Sequence, residues 1–563
     1  MSGAKNMTES SAPKAMGAPE STSPESIENI ENVASHKTSG ARASLDSVAL
    51  DSAGLSANLD SSTDSSHADF ANKTNAPESA SPDSNSSKST APESSALESA
   101  SVENLDFDKF TKYSKSAPRY TSYPTAVEFS TSFDYDALKS AFIRNDALAR
   151  KSKMPLSLYV HLPFCKSACY FCGCNVIYTN RQDRKDRYIS YLKKEIDILK
   201  TLMDTKREVV QFHFGGGTPT FFDAAQLSQV IALVRDAFPN FAPNAEVSCE
   251  IDPRHFEPSQ MQALKEGGFN RLSFGVQDFD EGVQKAVNRF QDVALVSNAV
   301  KIARDAGINS INFDLIYGLP LQSADSFIDT LKKVVSLSPD RLAIFNYAHI
   351  PWMKKTMQKI NEADLPTPGM KLEILKKTID FLVKNDYAMI GMDHFAKKSD
   401  ELYEAKITHQ LRRNFQGYTT RGFSQTIGIG LTSIGEGWDY YAQNHKDLPS
   451  YEKALDEGRI PLERGIALSQ EDILRKEVIM GLMNNLCLDF APFKQRYGID
   501  FRQHFAKELL ALKEYEDIGV VSINDRGIYT TPTGGLLIRN IAMVFDAYLA
   551  NISQEKRVFS KTI

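Results

Sequence analysis

From Leu158 onward the chain alternates short runs of β-branched and aromatic residues with longer stretches whose apolar positions recur at helical spacing. Leu158–Leu162, Val209–Phe214, Ala245–Ile251, Arg271–Val276, Ser310–Ile316 and Arg341–Tyr347 read as strands. Tyr188–Leu202 places Ile189, Leu192, Ile196 and Leu199 on one helical face, and Ala225–Phe238, Pro258–Glu266, Asp292–Ala306 and Ser323–Leu337 follow the same spacing. Six strand–helix alternations predict a parallel sheet covered by helices, because parallel neighbours need long crossovers. Alternation alone leaves an open doubly wound sheet and a full or partial barrel as alternatives. After about residue 370 the pattern changes. Met370–Asn385 predicts a helix, Asn414–Tyr441 is Gly-rich and aromatic, and the chain from about Ser469 reads as mostly helical. It closes on a hairpin, Val520–Tyr529, turning at Asn524-Asp525-Arg526-Gly527. Two helices and a hairpin resemble a winged helix, yet no concentrated basic face accompanies them.

Composition changes the picture at the N-terminus. Residues 1–100 hold 25 Ser and one Phe, no Tyr or Trp, and 6 Lys+Arg against 14 Asp+Glu. Too little apolar area is available there to offset chain entropy, so residues 1–104 are expected to form a disordered acidic tail. The whole-chain net charge of −6 belongs to this tail; the other 463 residues carry 59 basic and 57 acidic groups. A near-neutral body argues against a nucleic-acid-binding protein. No apolar run approaches the ~20 residues of a bilayer span, so no membrane is expected. The first 20 residues have no apolar h-region, and an acid-rich tail is the reverse of a transit peptide. The default compartment is therefore the cytoplasm.

Four of the six cysteines fall within ten residues: Cys165, Cys169, Cys172 and Cys174. Cys249 and Cys487 stand alone in apolar surroundings and read as packing. Crowded cysteines in a reducing compartment point to metal or catalysis rather than to cross-links. The cluster follows a predicted strand and precedes a helix, on the face where parallel α/β folds bind ligands. A structural zinc site draws two separated ligand pairs, and no second pair follows. A cubane iron–sulfur cluster presents separate iron corners that one short C-x3-C-x2-C loop can wrap, leaving one iron open to a small molecule.

C-x3-C-x2-C in this setting, with Phe171 before the third cysteine, resembles the signature of the radical S-adenosylmethionine (SAM) superfamily. Over about residues 106–550 the chain is similar to one family within it, the oxygen-independent coproporphyrinogen III oxidases. The matching blocks include PRYTSYPTA at 118–126, FHFGGGTPT at 212–220, EIDPR at 250–254, RLSFGVQDF at 271–279, NFDLIYGLP at 312–320 and GMDHFA at 391–396. Haem-chaperone relatives carry an aromatic residue where Cys174 stands.

The resemblance implies a radical SAM partial (β/α)6 barrel with a smaller, mainly helical C-terminal domain. It implies a substrate-covering segment at 105–150, the catalytic barrel at 151–370, a barrel-completing region at 371–468 and a winged-helix-like domain at 469–563. It implies a [4Fe-4S] cluster on Cys165, Cys169 and Cys172, two SAM molecules, and a catalytic role for Cys174 outside the iron ligands. Tyr159, Gly216, Glu250 and Ile434 match positions contacting the cluster-bound SAM. Phe171, Gly217, Thr218, Gln277, Arg289, Asp314 and Ala348 match positions contacting the second. A strand-end carboxylate can take ribose hydroxyls or an ammonium, and an arginine fork suits a carboxylate. His161 and His394 are given no catalytic role.

The implied reaction is conversion of coproporphyrinogen III to protoporphyrinogen IX, two propionates becoming vinyl groups. Arg119 is a candidate at the pocket mouth for the acidic substrate. A flavodoxin or ferredoxin is the kind of electron donor implied, and a monomer the expected state. The alternatives are a haem-binding chaperone of the same subfamily, or a radical SAM enzyme acting on another substrate.

Overall fold

The computed structural model describes residues 105–113 and 115–549, which fall within one compact unit. The expectation for residues 1–104 lies outside the described residues. Six parallel strands form the centre: β1 (Leu156–Leu162), β2 (Val209–Gly216), β3 (Phe241–Ile251), β4 (Arg271–Gln277), β5 (Ser310–Tyr317) and β6 (Arg341–Asn346). The helices between them are α1 (Gln182–Leu202), α2 (Ala224–Ala237), α3 (Pro258–Glu266), α4 (Val293–Asp305) and α5 (Ala324–Ser336). Helix starts are fixed by local chemistry: Asp223 and Ser323 each close a capping box at α2 and α5. Helix α1 begins six residues before the predicted start, because its first turn is polar and carries no apolar signal.

The strands alternate with period two. In β4, Leu272, Phe274 and Val276 are buried, while Arg271, Ser273, Gly275 and Gln277 are half-buried. In β5, Ile311, Phe313 and Leu315 are buried, while Ser310, Asn312 and Asp314 are not fully so. One face therefore joins the main hydrophobic core, with Leu227, Val230, Leu264 and Phe327 of the covering helices. The other face is polar. A parallel sheet packed on both sides reads as continuous apolar runs, so this alternation marks a sheet that encloses a polar space.

The region after residue 370 extends this sheet at both edges. Tyr387–Gly391 (β7) and His394–Lys397 (β8) add antiparallel strands beside β6. Arg412–Asn414 (β9) and Gly417–Thr419 (β10) form a separate hairpin. Gln425–Ile429 (β11) pairs parallel with β1, and Ile434–Glu436 (β12), Tyr440–Asn444 (β13) and Leu462–Ala467 (β14) follow antiparallel. The order β14-β13-β12-β11-β1-β2-β3-β4-β5-β6-β8-β7 does not close on itself. Residues from β1 and β6 line the same cavity, so the sheet curls as a partial barrel.

Helix Gln470–Asn485 opens the last region, where the predicted hairpin is present as Val521–Ile523 against Gly527–Thr530. Cys487–Asp489 adds a third strand that the helical reading of this region did not contain. Cys249 is fully buried, as expected of packing; Cys487 is half-buried, its Sγ 3.5 Å from His409 Nδ1.

Candidate active site

The cysteine loop leaves the C-terminal end of β1 and is tied down on every side. Pro163 O accepts from Ile177 N (2.8 Å), Cys165 O from Thr179 N (3.1 Å), and Phe164 O from Thr218 N (3.0 Å). Val287 O accepts from Tyr170 N (2.9 Å), and Ala168 O from Asn288 Nδ2 (2.8 Å). Lys354 Nζ donates to Cys174 O (2.9 Å). None of the six cysteines is disulfide-bonded.

The three thiols meet different neighbours. Cys165 Sγ lies 3.2 Å from Thr218 Oγ1, and burial pushes its pKa up to about 12. Cys169 Sγ faces Arg289 Nη1 (3.5 Å) and Arg254 Nη2 (3.7 Å). The Cys172 thiol is lowered to about 6, chiefly by a hydrogen bond from Cys174, whose own thiol is raised in return. Among the described residues no three His, Cys, Asp or Glu side chains converge as around a single ion. Three thiols on one anchored loop, with N–H and O–H donors aimed at two of them, fit an iron–sulfur cluster.

A cavity of about 700 Å³ runs through the barrel. Tyr159, Gly216, Glu250 and Ile434 line it, and so do Asp314 and Cys174. Cys174 is exposed, and this cavity is what it faces. Gly216 sits at φ +123°, where L side chains are strained, and a Cβ there would lie 2.9 Å from Leu162 O and 3.0 Å from His161. Its N–H donates to Glu250 Oε2 (3.1 Å). Tyr159 OH and His161 Nδ1 lie 3.0 Å apart, and His161 Nε2 is 3.2 Å from Asn175 O. Burial lowers His161 to about 4. Asp314 accepts from Ser273 Oγ (2.8 Å) and Asn312 Nδ2 (2.9 Å), and burial raises its carboxyl to about 6.

The other residues matched to a second SAM do not line this cavity. Phe171 packs on a small apolar cluster with Val283, Val287 and Leu319. Thr218 contacts Cys165, and Gly217 N donates to Leu162 O (2.9 Å). Gln277 ends β4 at φ 65°, a strained position for a side chain that ends a strand. Arg289 is buried and engaged with Asp252 and Cys169. Ala348 is exposed just beyond β6. Asp314 alone of that set joins the residues matched to the cluster-bound SAM.

The sequence reading passed over several chamber residues. His213 stacks on Tyr159 (5.9 Å, 13°) and lies 2.6 Å from Ser248 Oγ and 3.4 Å from Glu250 Oε1. Phe415, Gln416 and Tyr418 line the far wall. For His213 and Ser248 the signal was present, as polar residues at alternate positions of apolar strands.

Residues 159–334 match the model of the radical SAM superfamily, and residues 468–537 that of the HemN C-terminal domain. The oxygen-independent coproporphyrinogen III oxidase of Helicobacter pylori (strain J99 / ATCC 700824) is 61% identical over 459 residues, covering 82% of this chain and 99% of the relative. The chain belongs to the oxygen-independent coproporphyrinogen III oxidase family. The Escherichia coli (strain K12) member is 47% identical over 456 residues, 80% of this chain and 98% of its own. The solved E. coli structure, described as coproporphyrinogen III oxidase and a radical SAM enzyme, superimposes with a TM-score of 0.75 at 46% identity. It covers 79% of this chain and 99% of that one. As a radical SAM enzyme of this family the protein works with a [4Fe-4S] cluster and SAM.

Proposed function

We propose that this enzyme converts coproporphyrinogen III to protoporphyrinogen IX without oxygen, turning two propionates into vinyl groups for haem biosynthesis. Each propionate loses a hydrogen atom from its β-carbon and then CO2, releasing one electron to an acceptor. When bound, the cluster and SAM supply a 5′-deoxyadenosyl radical, the hydrogen-atom acceptor; the chain's residues bind, orient and exclude water. Cys165, Cys169 and Cys172 hold the iron; Tyr159, Gly216, Glu250 and Ile434 hold the first SAM. Phe171, Gly217, Thr218, Gln277, Arg289, Asp314 and Ala348 hold the second. Cys174 serves turnover from the cavity wall. A flavodoxin or ferredoxin supplies the electron to a cytoplasmic monomer. Residues 105–150 cover the substrate, 151–370 form the catalytic barrel, 371–468 complete it, and the chain from 469 on forms the C-terminal domain.

The observation that carries this reading is convergence. Side chains from β1, β2, β3, β5 and β12 meet Cys174 on one polar chamber beside the anchored cysteine loop. A buried cation lies behind the far wall rather than on it. Tyr418 and His394 line the cavity there, and Arg413 lies 5.2 Å from the Tyr418 ring centre. Arg413 is 8% exposed, its Nε has no hydrogen-bond partner, and no described carboxylate pairs with it. Arg119, by contrast, is paired with Asp393. Arg413 Nη1 donates to Arg119 O (2.6 Å) and Met392 Sδ (3.2 Å), neither of them an anion; a buried guanidinium without an anion is costly, and a propionate reaching past Tyr418 would supply one. An anaerobic assay of the reconstituted protein with SAM, dithionite and coproporphyrinogen III, read as protoporphyrin after oxidation, tests the reading. Haem binding without turnover would overturn it in favour of the chaperone.

A further inference from the structure

Cys169 is the one cysteine of the loop whose sulfur lies within hydrogen-bond reach of two guanidinium groups. Arg289 Nη1 stands 3.5 Å and Arg254 Nη2 3.7 Å from its Sγ. Both are within reach of an N–H···S hydrogen bond. One carboxylate fixes both forks. Asp252 accepts from Arg254 Nε (3.0 Å) and Nη2 (2.7 Å), and from Arg289 Nη1 and Nη2 (3.3 Å each). Asp252 also accepts from Arg254 N (3.1 Å), capping the turn Pro253–His255, so its own position is set by the backbone. Gly275 O holds Arg289 from the other side at 2.5 Å. The side chains are nearly dry: Arg289 and Asp252 are each 8% exposed and Arg254 15%. Two cations and one anion leave a net positive charge against this sulfur. Cys165, for comparison, meets a neutral hydroxyl.

We infer that Arg254 and Arg289, locked by Asp252, are positioning residues that raise the reduction potential of the cluster through the Cys169 sulfur. The inference rests on the cluster reading given above. Reduction adds one electron and no atom. The reduced form carries one more negative charge, so N–H···S donors and a nearby cation favour it over the oxidised form. Arg254 is the informative residue, because Arg289 is also matched to the second SAM and Arg254 is matched to neither.

The test compares full-length wild type, Arg254→Gln and Arg254→Lys, each reconstituted anaerobically with iron and sulfide. Iron per chain is measured first. The cluster is then reduced by dithionite at controlled potential without SAM and followed by its spin-resonance signal. At equal iron content, Arg254→Gln is expected to reduce at least tenfold less favourably, about 59 mV lower for a one-electron couple. Arg254→Lys keeps the charge and loses the fork, so a smaller shift in the same direction is expected. A wild-type potential in both variants, or an upward shift, overturns the inference. So does an unchanged potential with weakened SAM binding, which would make Arg254 a SAM ligand. If Arg254→Gln takes up no iron, the lysine variant decides alone; iron lost from both overturns the inference and makes the pair a structural clamp. Wild type without iron would instead bring down the cluster reading itself.

Discussion

Cys172 and Cys174 stand two residues apart and are hydrogen-bonded to each other, yet only Cys174 faces the cavity. Replacing Cys165, Cys169 or Cys172 by Ala is expected to abolish cluster iron and its thiolate-to-iron absorption. Cys174→Ala is expected to keep the iron and lose porphyrin formation; loss of iron there would make Cys174 a ligand. Glu250 and Asp314 separate in the same way. Glu250 holds the Gly216 N–H and faces the residues matched to the first SAM, so Glu250→Ala should impair 5′-deoxyadenosine release. Asp314→Ala should leave the cluster spectrum intact, lower SAM stoichiometry towards one and cut product. Losing one charge-assisted bond costs roughly 1.5–3 kcal/mol, about ten- to a hundredfold in affinity. Two SAM and full yield in Asp314→Ala would reduce the residue to a strand-end cap. Behind the far wall, against the Tyr418 ring, Arg413→Gln should weaken binding of coproporphyrin III, followed by fluorescence, by a similar factor while leaving SAM cleavage intact. If the free acid and its tetramethyl ester already bind wild type equally, the carboxylate assignment fails. What a single sequence could not place was this wall: Gln416 and Tyr418, with Arg413 behind them, sit on a hairpin whose strands are three residues each, too short to carry a period.

At the scale of elements, the six central strands and the helices between them were legible because each has one apolar face repeated long enough to read. Helix α3 was read with both of its ends, Pro258 and Glu266, since Pro at its start and Gly267 after it punctuate the chain. Strands β11 to β14 were not, because each has three to six residues and three of them contain glycine. Their attachment depends on a buried carboxyl that sequence alone gives no reason to single out. Glu195 of α1 accepts from Gly430 N (2.7 Å), Asn444 Nδ2 (2.6 Å) and Tyr451 OH (2.6 Å), joining helix to sheet. Burial raises its carboxyl to about 7 from an ordinary 4.5. The folded state thus holds a proton that the unfolded chain gives up near pH 4.5. The stability this contributes is full below about pH 4.5 and is lost as pH rises through 7, roughly 3 kcal/mol by linkage. Between pH 5 and pH 7 wild type is therefore expected to lose melting temperature relative to Glu195→Gln, whatever the variant does to the absolute value. Asp314, also raised by burial, adds a slope of the same sign as Glu195 to both proteins, and His161, held neutral by burial, adds one of the opposite sign to both. Parallel slopes for the two proteins at constant ionic strength would show that Glu195 is not the titrating group.

For the whole molecule the open matter is how much of the chain the activity needs. The H. pylori relative is matched over 99% of its length by 82% of this chain, so the family's activity is complete without a Ser-rich acidic extension. That extension has one Phe and no Tyr or Trp in its first 100 residues, too little apolar surface to add to a core. The chain changes character at once after it. Phe107 and Phe110 are buried in the main core, and Asp106 N donates to Thr533 Oγ1 (3.2 Å). Arg539 holds the carbonyls of Ala117 and Pro118, and Tyr120 OH donates to Asp546 (2.9 Å). Residues 106–123 are thus bound to the C-terminal region by aromatic packing and buried hydrogen bonds. Two deletions should therefore differ sharply. Removal of residues 1–104 is expected to leave iron content, melting temperature and porphyrin formation unchanged. Removal of residues 1–124 strips Phe107, Phe110, Tyr120 and Tyr123 from the core. Truncating even one buried aromatic costs about 3–5 kcal/mol, against a total stability of about 5–15 kcal/mol, so the longer deletion should not yield folded protein. Circular dichroism melting, iron analysis and the anaerobic turnover assay on both deletions decide it. A shorter deletion that melts and binds iron like wild type but forms no protoporphyrin would give the acidic extension a part in catalysis.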